Sequence, residues 1–292
     1  MAKALEKLES WLLAYWREDS TELPAFPTVA TRLVDALERP DTTMDAVEEI
    51  IAQDGSITSQ VIRAANSALY GGICETQELR QAIMRLGFRE TADIAMATAC
   101  RSLFAMEERA EQSVSPELWV GLWQSALIGA YGARLMCNEL KLGEPRRVFL
   151  SAMVRDIGSL LILKLISGAL VRGRLRREPS DEQMRFLFDG LHHRIGAEYL
   201  RQTRMPDYTA EVAERHHEPA VPFAHDTVGL HLVRCADGLC NRLEISPFAS
   251  GEIGPAAEQS VEALGLDEDR LDYFALQFEI VREQLGDSLK RG

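Results

Sequence analysis

The chain has 292 residues, of which 46% are hydrophobic and 26% are charged, a composition typical of soluble globular proteins. This length allows one large domain or two packed subdomains, each with its own core. The formal net charge of −13 repels a phosphate backbone and therefore argues against general nucleic-acid binding.

The cysteines and the apolar segments indicate the compartment. The five cysteines are odd in number and scattered, and no CxxC occurs, which favours free thiols in a reducing environment over a disulfide framework. The first nine residues lack the apolar core of a signal peptide. The longest apolar stretch, residues 157–171, contains Lys164 and is too short to span a bilayer. We therefore expect a cytoplasmic protein that does not bind membranes.

Helical periodicity runs through most of the chain. Apolar residues recur at three- and four-residue spacing in stretches such as 57–69 and 94–103, and alternating runs of strand length are missing. Proline and glycine separate the helical stretches. The sequence therefore predicts an all-α fold with many helices of modest length.

Two helix starts are predicted in the first third of the chain. Thr42 with Asp45 resembles a capping box that begins a helix after Pro40. Asp54 precedes the next helix in the same way.

Asn66 lies in the last predicted turn of the helix that follows Asp54. An asparagine in this position is suited to bind free backbone carbonyls and amides. We predict that Asn66 has a structural role and hydrogen-bonds the backbone near the Tyr70-Gly71 turn.

Three parts are predicted along the chain. Residues 1–115 form an N-terminal helical subdomain, whose boundary falls in the polar segment 107–116. Residues 116–245 form a second helical subdomain, and residues 246–292 form an acidic helical C-terminal extension. The start of the extension, residues 246–255, is rich in Gly, Pro and Ser and is predicted to be a surface loop.

Two ordered sets of short motifs carry a resemblance to a known family. The first set comprises Leu23-Pro24-Ala25-Phe26-Pro27, Ala52-Gln53-Asp54, Ala65-Asn66-Ser67, Tyr70-Gly71, Gln81-Ala82-Ile83 and Leu86-Gly87. The second set comprises Trp123-Gln124-Ser125, Val154-Arg155-Asp156-Ile157-Gly158, Gly190-Leu191-His192, Ile195-Gly196-Ala197, Arg215-His216-His217-Glu218 and Ala236-Asp237. In this order and spacing the chain resembles the HDOD family, a degenerate, non-catalytic branch of the HD phosphohydrolase superfamily.

The resemblance covers residues 23–237 and implies a fold. The HDOD-like N-terminal half, from about residue 23, is a helical bundle packed on an HD-like helical subdomain, which here would be residues 116–245. One departure from the family pattern is Gly55, where proline is usual.

The resemblance also implies a degenerate metal site. An active HD hydrolase holds one or two metal ions with His and Asp ligands, and the metal lowers the pKa of a bound water. The positions of this chain that match the site are Gln124, Arg155, Asp156, His192, His216, His217 and Asp237. Gln124 replaces the first His, and Arg155 replaces the His of the His-Asp pair. Arginine offers no lone pair to a metal, so we predict a vestigial site with no catalytic residue, no metal and no cofactor.

Arg155 is predicted to replace the lost metal as the local positive charge. Without a cation, Asp156 and Asp237 would repel each other in the interior, and a guanidinium suits both carboxylates. The competing interpretation turns Arg155 outward to solvent, because neighbouring residues of a helix do not face the same direction. The histidines of the site have an alternative role as well, since they can simply cap and pack helices.

A basic run lies outside these motifs. Arg172, Arg174, Arg176 and Arg177 form a candidate contact for a phosphate-bearing ligand or an acidic partner. The alternative, which such runs usually follow, is a solvated loop before Pro179.

Three functions are compatible with the sequence. The first is a non-catalytic signalling or regulatory module that binds proteins in bacterial signal transduction, with receiver, kinase or cyclic-dinucleotide proteins as candidate partners. The second is a metal-dependent phosphohydrolase with atypical ligands, and the third is a nucleotide-binding sensor that lost catalysis. Nucleic acid and membrane are not expected as partners.

Overall fold

Helices make up the regular structure of the chain. The computed structural model describes residues 2–19, 25–67, 70, 74–105 and 114–290, and none of these residues lies in a β-strand. The α-helices are α1 (Ala2–Asp19), α2 (Thr28–Glu38), α3 (Met44–Ala52), α4 (Gly55–Ala65), α5 (Leu79–Leu86), α6 (Phe88–Arg101), α7 (Pro116–Leu140), α8 (Pro145–Val154), α9 (Ile157–Val171), α10 (Asp181–Gln202), α11 (Asp207–Arg215), α12 (Val228–Arg242), α13 (Pro255–Ala263) and α14 (Glu268–Lys290). The all-α prediction is confirmed.

The chain divides into two units. The small unit is Pro24–Ala105 and contains α2 to α6. The large unit combines Met1–Leu23 with Met106–Gly292 and contains α1 and α7 to α14. This division differs from the predicted boundaries after residues 115 and 245, because α1 packs on α9 and α10, and α14 packs on α7. The predicted boundary segment is only partly described, since residues 107–113 lie outside the described residues.

Side-chain caps begin two helices of the small unit, α3 and α4. The side chain of Thr43 accepts a hydrogen bond from the amide of Ala46 and caps α3. The predicted capping box of Thr42 and Asp45 is therefore wrong by one residue, because the hydroxyl of Thr42 donates to a carbonyl at the end of α2 instead. Asp54 caps α4 as predicted, and its carboxylate accepts from two backbone amides at 2.8 and 3.0 Å.

Asn66 follows α4 and ties two segments of the small unit together. Its amide nitrogen donates to the carbonyl of Thr76 at 2.8 Å, and its oxygen accepts from the amide of Thr76 at 2.9 Å. Arg85 donates to the same oxygen at 3.1 Å. The predicted bonding to backbone is confirmed, with Thr76 as the partner, while Gly71 of the predicted turn lies outside the described residues.

Replacing Asn66 by alanine should lower the free energy of unfolding by about 1–3 kcal/mol, because both backbone groups of Thr76 lose their partner. Urea denaturation measures the change. Asn66→Asp keeps the acceptor for the amide of Thr76 and should lose less stability than Asn66→Ala. Equal unfolding midpoints for Asn66→Ala and the unmodified protein would contradict this role.

The close crossing of α9 and α10 organises the large unit. A side chain at Gly158 would place its Cβ 1.9 Å from the carbonyl oxygen of His192, so only glycine allows the two backbones to approach this far. The crossing sets the middle of α10 beside the first turn of α9. Helix α9 is buried on nearly every side, yet within the described residues no helix is long and apolar enough to cross a membrane.

The predicted C-terminal extension is part of the core of the large unit. Phe274 and Phe278 of α14 are fully buried. Phe278 packs against α7 at Gly132, where a Cβ would lie 2.1 Å from its ring. Burial of two aromatic side chains fixes α14 to the unit.

Candidate functional site

The Arg155-Asp156 pair lies in the turn that joins α8 to α9. Residues inside one helix that follow each other face different directions. Because these two residues stand between helices, both side chains reach the same interior site. The expected internal pairing of Arg155 is confirmed, and the outward alternative is wrong.

All three nitrogens of the Arg155 guanidinium bind protein groups, and the side chain is fully buried. Nε donates to Asp237 Oδ1 at 2.9 Å and lies 3.1 Å from Asp156 Oδ2. Nη1 donates to the carbonyls of Ala152 and Ser125 at 2.9 and 3.3 Å, and Nη2 donates to the hydroxyl of Ser125 at 2.6 Å. A buried charge requires such pairing and hydrogen bonding.

Electrostatic interactions hold the Arg155 guanidinium in its charged form. Burial opposes the charge of Arg155, but the carboxylates of Asp156 and Asp237 outweigh that effect, and the pKa of Arg155 rises above its ordinary value. Burial likewise opposes the charge of Asp156. Arg155 first, and then His216 and His192, outweigh it and hold the pKa of Asp156 well below its usual range.

Three histidines and the free oxygen of Asp156 form a cluster beside Arg155. Nε2 of His192 lies 3.2 Å from Nε2 of His216. Oδ1 of Asp156 lies 3.4 Å from Nε2 of His216 and 3.8 Å from Nε2 of His192. His217 lies on the open side, and one ligand atom from each of the four residues falls within 4.8 Å of the others.

The backbone fixes the tautomers of two of these histidines. Nδ1 of His192 lies 2.5 Å from the carbonyl of Phe188. Nδ1 of His216 lies 3.0 and 3.1 Å from the carbonyls of Ala213 and Val212. A carbonyl only accepts hydrogen bonds, so each Nδ1 carries a proton, and when both rings are neutral their Nε2 lone pairs face each other.

This donor set fits a single divalent metal ion. Two lone pairs 3.2 Å apart repel each other unless a proton or a metal ion lies between them, and imidazole with carboxylate suits the later first-row metals. Backbone carbonyls that orient ligand histidines through Nδ1 are a usual feature of metal sites. The residues that would hold the ion are Asp156, His192, His216 and His217.

Two histidines of the cluster, His192 and His217, resist protonation. Burial lowers the pKa of His192, and the neighbouring His217 lowers it further. The charge of His216, followed by desolvation in the cleft, lowers the pKa of His217 to about 4. Neutral imidazoles are the form that a metal ligand requires.

The structure brings together six of the seven predicted positions. Gln124 is the exception, since it is half-buried on α7 and does not line the cavity beside the cluster. Ser125 faces the site instead and binds Arg155. Helical neighbours point about 100° apart, so a match in the sequence at Gln124 does not place its side chain at the site.

The predicted basic run lies outside the site. Nε of Arg172 donates to the hydroxyl of Tyr15 at 3.0 Å, and the guanidinium lies 5.7 Å from the ring centroid. This contact ties α1 to the end of α9. The other three arginines of the run are exposed and do not line the cavity.

A cavity of about 440 Å³ opens beside the cluster. Its wall includes Asp156, the three histidines and Asp237. Among the residues that the motifs did not single out, it also includes Arg185, Phe188, Arg234 and Phe248. The segment that joins α12 to α13 contributes Phe248, so the predicted surface loop forms part of the wall. The sequence spacing gave one indication of this wall. Arg234 precedes Asp237 by three residues and therefore shares its face of α12.

The fold is that of an HDOD-type helical protein. The family model described as "HDOD domain" matches residues 23–219. The chain therefore belongs to the HDOD family. The comparison with curated proteins gives no match.

Solved structures share the fold at low sequence identity. A protein of Shewanella amazonensis SB2B, provisionally named a metal-dependent phosphohydrolase, is 24% identical with a TM-score of 0.65 over 95% of this chain and 100% of its own. An HDOD domain protein of unknown function from Geobacter sulfurreducens is 20% identical with a TM-score of 0.70 over 97% and 98%. A provisionally named signal transduction protein of Marinobacter aquaeolei VT8 is 21% identical with a TM-score of 0.65 over 94% of this chain and 59% of its own.

Proposed function

We propose that this HDOD protein is a non-catalytic regulatory module that acts through protein contacts in bacterial signal transduction. The observation that carries the proposal is the position of Arg155, which binds one oxygen of Asp156 and one of Asp237. A permanently charged side chain thus occupies the carboxylates that an HD hydrolase would offer to metal. The free thiols of all five cysteines support the cytoplasm as the compartment.

The protonation chemistry of the site also favours a non-catalytic role. A general base works best when its pKa lies near the working pH. Arg155 lowers the pKa of Asp156 well below that range, and the charge of His216 lowers the pKa of His217 to about 4. Both groups are therefore weak bases at neutral pH.

A hydrolysis assay tests the proposal. The protein, supplied with Mn²⁺, Fe²⁺ or Zn²⁺, is incubated with a phosphomonoester, a phosphodiester and cyclic dinucleotides. We expect a rate equal to that of Asp156→Ala for every substrate. Turnover that Asp156→Ala abolishes would overturn the proposal.

A metal-dependent phosphohydrolase is the second candidate, and the His-Asp cluster on the cavity wall is the observation that favours it. A metal bound there would polarise a phosphoryl oxygen or activate a water. Asp156, His192 and His216 would hold the ion, while Arg155 keeps Asp237 engaged. The donor geometry thus supports metal binding, against the sequence-based prediction of no metal, while the proposal of no catalysis is kept.

Chelator-treated protein should bind one divalent ion per chain at the cluster, because the two Nε2 lone pairs face each other. Equilibrium dialysis against Zn²⁺ or Mn²⁺, read by elemental analysis, measures the stoichiometry. His192→Ala should lose the ion, whereas the matched control His193→Ala should keep it. If the protein holds no ion after dialysis, the sequence-based prediction of a site without metal stands.

An exposed apolar stripe on α14 supports the protein contacts. Tyr273, Leu276 and Ile280 are 37%, 59% and 37% exposed and fall on one side of the helix. Exposed Asp269 and Glu283 stand at its two ends. The stripe therefore fits a partner surface that is apolar in the centre and basic at the rim.

The neighbouring arginines do not neutralise this rim. Arg270 pairs with Glu139, and Arg282 pairs with Glu279. A photocrosslinking residue at Leu276 should capture a discrete protein partner in cells, and one at the exposed Glu262 should not. In chains that carry the crosslinker at Ile280, Leu276→Asp should reduce the capture of the partner. Unchanged capture in this variant would contradict the contact surface.

A further inference from the structure

Arg234 of α12 is a second buried cation, and the protein satisfies it only in part. The residue is 1% exposed. Nη2 donates to the carbonyl of Glu218 and to Oε1 of Gln259, both at 2.9 Å. Nε and Nη1 are buried without a hydrogen-bond partner among the described residues.

Arg234 also lacks a counter-ion within the described part of the chain. The carboxylate of Glu218 favours the charged form of Arg234. This carboxylate, however, already binds Arg215 at 3.0 Å. Burial lowers the pKa of Arg234, but an arginine stays protonated in proteins. Buried charges are normally paired, so the fold carries an uncompensated positive charge at this point.

The cavity beside the cluster supplies room for the missing anion. Arg234 lines the same cavity as the histidines. Arg155 already engages Asp156 and Asp237, so these carboxylates do not serve Arg234. The two arginines differ in their hydrogen bonding. Every guanidinium nitrogen of Arg155 has a partner, whereas among the described residues only Nη2 of Arg234 has partners.

The rest of the wall suits an organic ligand. Phe188 and Phe248 lie with ring centroids 5.9 Å apart, and the guanidinium of Arg185 lies 5.2 Å from the centroid of Phe248. A volume of about 440 Å³ lies within the range of small-molecule sites. Apolar rings and buried positive charge in one cavity match a molecule with an apolar body and an anionic end.

We propose that this cavity binds a small organic oxyanion whose phosphate or carboxylate group is held at Arg234. The guanidinium fork matches the oxygens of either group, and the apolar part of the ligand contacts Phe188 and Phe248. The inference goes beyond the proposed function, which requires no ligand.

Calorimetric titration of the full chain with small probes tests the proposal. The probes are phenyl phosphate for the phosphate arm, benzoate for the carboxylate arm, and benzyl alcohol as the uncharged control. A chelator in every solution removes any metal contribution. We expect one or both anions to bind and benzyl alcohol not to bind, and the better anion identifies the group.

Two variants assign the binding to Arg234. Arg234→Met keeps the length of the side chain without its charge and should weaken anion binding by at least about tenfold. The control is Arg242→Gln, because Arg242 is a partly exposed arginine on the same helix that does not line the cavity. This change should alter anion binding by less than about twofold. Because Arg234→Met removes an unpaired buried charge, its melting temperature should not fall.

A measurement on the unmodified protein covers the case in which Arg234→Met fails to fold. The ¹⁵N signal of Arg234 Nε should shift on addition of the bound anion and stay fixed with benzyl alcohol. Absence of binding by both anions up to about 10 mM would overturn the proposal. Binding that is unchanged in Arg234→Met, or that leaves the Nε signal unmoved, would overturn it as well.

Discussion

Replacement of Arg155 by alanine is expected to lower the free energy of unfolding by about 3–5 kcal/mol, as removal of one partner from a buried ion pair does. Asp156 and Asp237 would then face each other as carboxylates with side chains about one-fifth exposed. Three carbonyl and hydroxyl oxygens of Ala152 and Ser125 would also lose their donors. Urea denaturation at neutral pH measures the loss.

Matched variants separate the charge from the packing. Arg155→Met fills most of the volume without the charge, and adding Asp237→Asn to it should recover part of the stability, because one of the two repelling carboxylates is removed. Arg155→His should be milder than Arg155→Ala, since a protonated imidazole still offers positive charge. A loss below about 1 kcal/mol for Arg155→Ala would show that the pair contributes no more than a surface ion pair.

Gly158→Ala is the second change with a large expected effect, a loss of about 3 kcal/mol or more. The added Cβ would lie 1.9 Å from the carbonyl oxygen of His192. A backbone atom cannot rotate away, so α10 must move as a whole, and His192 would move with it. The change should therefore also weaken metal binding at the cluster.

Gly190→Ala provides the matched control on α10. Nothing lies within 4 Å of a Cβ at that position, and alanine favours a helix interior over glycine by about 1 kcal/mol. The control should hold or raise stability. Similar thermal unfolding of the two alanine variants would refute the close crossing of α9 and α10.

The sequence predicts the helices and most of the site because both depend on local pattern. Apolar periodicity and helix breakers are sufficient for the all-α fold, and the ordered motifs identify Arg155, Asp156 and the histidines. The pairing of Arg155 followed from electrostatics once the family resemblance had placed Asp156 and Asp237 in one interior site, because two interior carboxylates require a cation.

The remaining features of the site depend on the direction of each side chain around its helix and on contacts between residues that are distant along the chain. The sequence could not show that Arg155 and Asp156 leave the helix, which is what lets both side chains face inward. It could not rank Gln124 against Ser125 either, because one step along a helix turns a side chain by about 100°.

Packing between distant segments of the chain could not be predicted from the sequence either. The acidic composition of residues 246–292 predicted a helical extension without deciding whether it packs in the core, whereas Phe274 and Phe278 fix α14 there. The three-residue spacing placed Arg234 on the same face of α12 as Asp237, but it did not indicate that two of its nitrogens lack a partner among the described residues. Only the hydrogen-bond geometry of the folded chain sets it apart.

The space at Gly129 links two positions that are far apart in the sequence. A Cβ there would lie 2.7 Å from Nη1 of Arg155, a nitrogen that its hydrogen bonds hold in place. Arginine at 155 therefore requires glycine at 129, while a shorter histidine at 155 would leave position 129 unconstrained. Across the family the two sites should covary, with glycine accompanying arginine. A lineage that carries both residues could therefore regain a metal ligand at 155 while it keeps glycine at 129, whereas a side chain gained first at 129 would crowd the arginine.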